Sequence, residues 1–289
     1  MNNMNKIQSE KKNDKPDHLS IIKDIKDFES LAQYYLNNFR IHLKNKEQIE
    51  GIKKASRLAA FILDQTAQMA KAGVTTNELN DFAHNLHIKY GATPAPLQYG
   101  FPPFPKSICT SVNEVICHGV PNDIPLKEGD IVNIDITANL NGYYGDVSCM
   151  VMVGEVFDDK KLVVEVSKEC LKRAIDVVKP FNLISDIGAA IEPYATSKGC
   201  STVRQFVGHG IGIHFHEYPQ IPHNLNKQHI PFVPSMTFTI EPMINRGQIE
   251  HTLDKDDKWT VRTKDLKPSA QWEHTILVTE NGCEILTVL

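Results

Sequence analysis

DIVNIDITANLNGYYGDVSCMVMV, residues 130–153, is the stretch that decides the fold. Its two flanks alternate apolar and polar residues and are rich in Ile, Val, Thr and Tyr. The Asn141-Gly142 pair between them favours a two-residue type I′ turn. The reading is a β-hairpin. With that turn, Leu140 faces Tyr143 and Asp135 faces Ser148, so Asp146 falls on the same face as Asp135, as its diagonal neighbour. A loop one residue longer would invert the parity and separate them. Diagonal neighbours lie roughly 7 to 8 Å apart, and two carboxylates on a largely apolar face repel and lose hydration. A cation is expected between them. Taken singly, an aspartate in a strand also has an ordinary reading as an edge or turn residue.

Around the hairpin, composition is that of a soluble globular chain: 289 residues, 41% apolar and 23% charged, enough for one large domain or two modest ones. A net charge of -4 gives no electrostatic reason to expect nucleic acid or an anionic membrane as partner. Six cysteines are scattered, with no C-x-x-C pair, which fits a reducing compartment. There is no apolar run long enough to span a bilayer and no secretory h-region, and Glu10, Asp14 and Asp17 argue against a transit peptide. The expected location is the cytoplasm.

In chain order, residues 1 to about 20 are polar and expected to be a disordered tail. Residues 21–45 carry Ile21, Ile25, Phe28, Leu31 and Tyr35 at helical spacing and form a helical arm, either packed on the body or awaiting a partner. Residues 1–45 are thus set apart as an extension, and 46–289 as the main domain. Ile49, Ile52, Leu58, Ile62 and Leu63 mark a long helix stopping at Gly73, and the Thr75/Glu78 capping box opens a second, to Gly91. A proline-rich loop (93–106), a strand-like run to Cys117 and the hairpin follow. The order then repeats: helices over about 159–178 and 185–198, then strands at 202–207, 236–244 and 260–263 and a terminal hairpin, 271–289, turning at Asn281-Gly282. Two units of helix, helix, strands suggest an internal duplication. Helices grouped beside antiparallel strands indicate an α+β fold.

The second half adds polar groups in apolar strand surroundings. His209 lies between glycines in FVGHGIGIHFHEYP, with His216 seven residues on; Glu241 ends MTFTIEP; Glu273 sits inside SAQWEHTILV. Each alone could be a hydrogen-bonded core histidine or an edge glutamate. Together, Asp135, Asp146, Glu241 and Glu273 would place four carboxylates on the inner faces of one sheet, too costly without a metal. Four carboxylates and an imidazole suit two divalent first-row ions such as Mn, Fe, Co or Zn. Two ions roughly 3.5 to 4 Å apart lower the pKa of a shared water towards about 7. Hydrolysis is the chemistry this implies.

SVNEVICHGVPND, IDITANLNGYYGD, GHGIG with FHE after it, FTIEPM and SAQWEHTI, in this order over roughly Glu47 to Leu289, resemble the type I methionine aminopeptidases. The resemblance implies a pita-bread fold, a pseudo-twofold sandwich around a dinuclear metal site. It implies Asp135, Asp146, His209, Glu241 and Glu273 as metal ligands, with Asp146 and Glu273 bridging. Glu241 would also carry the proton, His118 and His216 would be uncoordinated catalytic histidines, and Tyr99, Phe104, Cys109, Phe215 and Trp259 would line the methionine pocket. The substrate would be nascent polypeptides starting with methionine before a small residue. A monomer is implied, and the extension is compatible with a ribosome-docking arm or with a solvated tail.

The chain departs from the family in three places. PLQYGFPPFPKS is about two residues longer than the usual pattern, which puts Tyr99, Phe101 and Phe104 in question. Ile213 and His214 stand where many bacterial members have Arg and Gly. The extension lacks the Cys/His spacing of a zinc-binding segment. His216 and Glu241 are 25 positions apart, leaving no room for the helical insertion of type II enzymes. Two rivals share the fold. An X-Pro aminopeptidase or prolidase usually carries a large folded N-terminal domain, which residues 1–45 are too few to supply, and a non-catalytic pita-bread binding protein would lose metal ligands that are kept here.

Overall fold

A computed structural model describes residues 17–289; most of the expected tail lies outside them. The Asn141-Gly142 turn forms as expected, with Asn141 at φ 54° and Gly142 at φ 84°, both in the left-handed region that a type I′ turn demands. It sets the register of Ile131–Leu140 against Tyr143–Met152: Leu140 pairs with Tyr143, Asp135 with Ser148 and Thr137 with Asp146. Asp135 and Asp146 therefore share a face. Ile131–Leu140 also pairs with Cys109–Val112, placing Cys109 opposite Asp135, and with Thr93–Pro94, a short strand in what reads as loop.

Six helices are described: α1 (His18–Asp24), α2 (Phe28–Phe39), α3 (Lys46–Ala67), α4 (Thr76–Lys89), α5 (Asp158–Asp176) and α6 (Ser185–Ser197). The arm expected at 21–45 is thus two helices, because Asp27 caps α2 by accepting from the Ser30 N–H, and the chain leaves α2 through a left-handed Arg40. Residues 41–45 then run onto the body, where Ile41 bridges to Tyr218. Tyr35 is fully buried and its hydroxyl donates to the Pro231 carbonyl at 2.8 Å. The arm is packed, not free. The third helix ends at Ala67, before the expected Gly73. The capping box of Thr75 and Glu78 is present.

Helices α3 and α4 cover the first half's strands over Ile62, Leu79, Ile134 and Ile136; α5 and α6 cover the second half's over Val163, Ile187, Phe238 and Ile276. All paired strands in the sheets are antiparallel. The second half's largest sheet runs in the order Cys283–Ile285, His274–Val278, Thr237–Ile240, Gly208–Gly210, Glu217–Ile221. Two expected strands are shorter than read. The first is only Ser201–Thr202, and the one at 236–244 breaks at Glu241-Pro242 into Thr237–Ile240 and Met243–Asn245, since proline has no N–H for the ladder. The four carboxylates consequently do not stand on one sheet. They meet where separate sheets abut, joined by a bridge between Ser148 and Glu273.

Gly145 fixes how closely α3 lies on the hairpin. A Cβ there would stand 2.4 Å from the Ser56 Cα and N, so any side chain must push helix backbone away. Gly145→Ala is expected to lower unfolding stability by about 3 kcal/mol, the upper end for overpacking. A urea midpoint equal to the parent's would contradict this.

Candidate metal centre

One cavity of about 500 Å³ is lined by all twelve residues singled out above: Tyr99, Phe104, Cys109, His118, Asp135, Asp146, His209, Phe215, His216, Glu241, Trp259 and Glu273. They arrive from eight separate places in the chain, some within strands, as Asp135, Asp146 and His209 do, and others from loops, as Tyr99, Phe104, Phe215, His216 and Trp259 do.

At its floor Asp146, His209 and Glu273 each offer a ligand atom within 4.8 Å of the others. Asp135 lies against Asp146. The Glu241 Oε1 is 3.6 Å, and the Asp146 Oδ2 3.8 Å, from the His209 Nε2. The His209 Nδ1 is 3.0 Å from the Gly210 carbonyl, an interaction that requires the proton on Nδ1. Nε2 is then left with a lone pair aimed at two carboxylate oxygens. Once the carboxylates are ionised, acceptors face acceptors and need a cation, and among the described residues no Lys or Arg pairs with any of the four. The donor set of hard oxygens and one imidazole fits divalent ions.

Electrostatics agree. Burial pushes the Asp146 carboxyl up to about 7. Burial, with the neighbouring Asp146, pushes Glu241 up to about 8. Asp135 and Glu273 lie well above the carboxylate range, through burial first and the other carboxylates second. Burial holds the His118 and His209 imidazoles down to about 4, so both are neutral at pH 7. His216 is also lowered, by desolvation and then by the His209 ring beside it.

A pH dependence follows. Folded Asp146 and Glu241 keep protons that the unfolded chain, with carboxylates near 4, has already released, so both cost the folded state stability as the pH rises towards about 8, whereas the neutral buried histidines favour it with rising pH only until the unfolded chain's imidazoles have lost their protons near 6.5. Chelator-treated protein is expected to melt lower at about pH 8.5 than at about pH 7, a window above the titration of the unfolded chain's histidines near 6.5, and added Mn²⁺ to reverse that order, because the cation favours ionised ligands. A melting midpoint that rises over that window in chelator would contradict the assignment.

The ligand-bearing groups are braced by side chains that patterning did not single out. Thr137 Oγ1 donates to Asp146 Oδ1 (2.8 Å), Thr239 Oγ1 to Glu241 Oε1 (2.8 Å) and Gln271 Nε2 to Glu241 Oε2 (3.0 Å). Thr137 and Gln271 stand two residues from Asp135 and Glu273, and strand periodicity alone puts them on the same face. Phe206 and Met243 also line the cavity, with the Phe206 ring edge-on to His118 at 5.5 Å.

The longer loop leaves the aromatic wall intact. Phe104 N–H donates to the Tyr99 carbonyl (2.8 Å), so the two ends close and the additional residues bulge outward, leaving Phe101 96% exposed. The bulge holds Trp259, whose Nε1–H donates to the Pro102 carbonyl at 3.0 Å. Trp259 stands edge-on to Phe104 and His118, and Tyr99 packs on Phe215 and His216.

The sequence pattern of metallopeptidase family M24 matches residues 50–280. A methionine aminopeptidase of Chlamydia pneumoniae is 54% identical over 261 residues, 90% of each chain. The chain belongs to the methionine aminopeptidases of metallopeptidase family M24. The crystal structure of methionine aminopeptidase from Rickettsia prowazekii superposes with a TM-score of 0.83 at 46% identity, covering 86% of this chain and all of that one. The prolidase from Pyrococcus horikoshii superposes at 0.70 with 21% identity, covering 90% of this chain and 65% of that one, a likeness of fold alone. The architecture is the pita-bread fold of this family, and its members' divalent-metal chemistry matches the carboxylate cluster described above.

Proposed function

We propose that the protein removes the N-terminal methionine from nascent polypeptides whose second residue is small. The observation that carries this is the cluster of four carboxylates and a neutral His209, without a cationic side chain, on the floor of a cavity walled by Cys109, Phe215, Trp259, Tyr99 and Phe104. Asp135, Asp146, His209, Glu241 and Glu273 would hold two divalent ions (Co, Mn, Fe or Zn), with Asp146 and Glu273 shared. When bound, such ions act as Lewis acids and lower the pKa of water towards about 7.

The chain's own residues do the rest. Glu241, held through both oxygens by Thr239 and Gln271, would take a proton from the attacking water and pass it to the leaving amine. His216, with its ring 4.2 Å from that of His209, would donate to the developing oxyanion, and His118 would contact the substrate amide. Cys109 and the aromatic rings supply an apolar, polarisable pocket suited to a thioether. Residues 46–289 form the catalytic unit in this reading, acting as a monomer in the cytoplasm; no described helix is long and apolar enough to cross a membrane. Ribosome docking by the extension is a separate matter, tested by co-sedimentation.

The test is release of the free N-terminal amino acid, methionine from Met-Ala-Ser and Met-Leu-Ser and alanine from Ala-Pro-Ser, by metal-stripped protein resupplied with Mn, Co, Fe or Zn. Cleavage confined to Met-Ala-Ser is expected. Cleavage of Ala-Pro-Ser instead would assign the protein to the proline-specific branch.

A further inference from the structure

We infer that Lys44 is a positioning residue for His216, acting through the buried carboxylate of Glu217; the inference rests on the aminopeptidase reading above. Lys44 belongs to the segment that joins α2 to α3, outside the catalytic unit as delimited from the sequence, yet its side chain is 1% exposed and that of Glu217 is 3% exposed. The Lys44 Nζ donates to Glu217 Oε2 and to the His42 carbonyl at 2.8 Å. The other Glu217 oxygen, Oε1, accepts from the Ile213 N–H (2.7 Å) and the His214 N–H (2.8 Å). One carboxylate thus closes the loop 213–217 on itself, and the two residues held between its ends are Phe215 and His216.

The lysine is anchored at its base as well as at its tip. Its backbone N–H donates to the Ser235 carbonyl at 2.9 Å, and Ile41 forms a parallel bridge with Tyr218, the residue after Glu217. The loop is gripped at its other end by Gly212, where a Cβ would stand 2.5 Å from Ile52 Cδ1 and 2.9 Å from Lys44 Cε. The Gly212 carbonyl accepts from the Tyr144 N–H (3.0 Å), two residues before Asp146. The loop is therefore tied to the metal-bearing strand on one side and to Lys44 on the other.

A buried ion pair is seldom the most stable way to fill such a space, and an apolar pair of equal volume often does better. What the charge supplies here is a carboxylate kept ionised: Lys44 is among the influences that hold Glu217 below its usual range, and only the ionised form offers acceptors on both oxygens. His216 needs that rigidity, since its ring sits 4.2 Å from His209 and 5.0 Å from Tyr99, and displacements of about 1 Å cost on the order of 100-fold in rate.

Three variants test this: Lys44→Met, Lys44→Met with Glu217→Gln, and Lys44→Met with Glu217→Ala. Both double variants are free of buried charge, but only Gln keeps an acceptor for the Ile213 and His214 N–H groups. The single variant and the Ala double variant are expected to lose on the order of 100-fold in kcat on Met-Ala-Ser. Their KM should stay near the parent's and their Mn²⁺ uptake by calorimetry should be unchanged, whereas the Gln double variant should recover most of the loss. Histidine Cε1 NMR should show the His216 signal broadened or split in the two impaired variants, with that of His87, buried in α4, unmoved. Should Lys44→Met not fold, the two double variants carry the comparison. A parent-like kcat and a parent-like His216 signal in the Ala double variant would overturn the inference and leave the pair a purely structural one. If the parent itself releases no methionine, the aminopeptidase reading fails, and the His216 signal still decides whether Lys44 positions the ring.

Discussion

The Glu241→Gln variant is expected to release methionine about a thousand-fold more slowly than the parent at equal metal loading, within the range for removing a positioned acid–base group. Its shape is that of the parent side chain, and its surroundings can accept it. The Gln271 Oε1 has no hydrogen-bond partner, so a turn of that amide would present an acceptor to the new NH₂ group. The fold should hold, and the metal-stripped variant should melt no lower than the stripped parent. What is lost is a carboxylate oriented by Thr239 and Gln271 that would take the proton from the attacking water. Steady-state kinetics on Met-Ala-Ser check the point. A kcat within tenfold of the parent's would remove Glu241 from the proton-transfer role.

Glu273→Gln should raise the stability of the metal-stripped protein and lower activity as much. Glu273 is 2% exposed and sits between two strands, with its N–H on the Ser148 carbonyl at 3.1 Å. Its carboxyl is the focus of three others. Removing that charge relieves repulsion that only a cation offsets, so the metal-stripped variant should melt higher than the stripped parent at about pH 8. It should also bind Mn²⁺ at least on the order of 100-fold more weakly, more than the effect of losing a supporting hydrogen bond to a ligand. Activity falls with the metal. Calorimetric titration and thermal melting read both effects, and unchanged Mn²⁺ affinity would exclude Glu273 as a ligand.

These two residues also show how far the sequence reading reaches. Asn141-Gly142 is local chemistry with one low-strain solution, and because strand side chains alternate it places Asp135 and Asp146 on one face without further information. The convergence of Glu241 and Glu273 on them was argued from charge: four carboxylates in apolar strands require a common counter-ion. The four do line one cavity, but from separate sheets, because Pro242 breaks the strand and sends the chain into a second sheet. Long-range pairing of this kind has no local signature. The hydroxyls of Thr137 and Thr239 were invisible for a related reason, as threonine is an ordinary strand residue until its partner is known. Lys44 was hidden more completely. It lies in a polar-looking stretch, HLKNKEQ, where a lysine reads as solvated, and only the fold shows that residues 40–45 pass beneath the loop carrying His216. The split of the arm into α1 and α2 has a local signature, since Asp27 and Ser30 form an N-cap pattern, which apolar spacing alone does not register.

The most direct measurement is an anomalous-difference map from a crystal of the protein grown with Mn²⁺. Two peaks are predicted, roughly 3.5 to 4 Å apart, with the carboxylates of Asp146 and Glu273 between them and His209 Nε2 on one. No peak in the cavity, or a peak whose ligands exclude Asp146 and Glu273, would contradict the account.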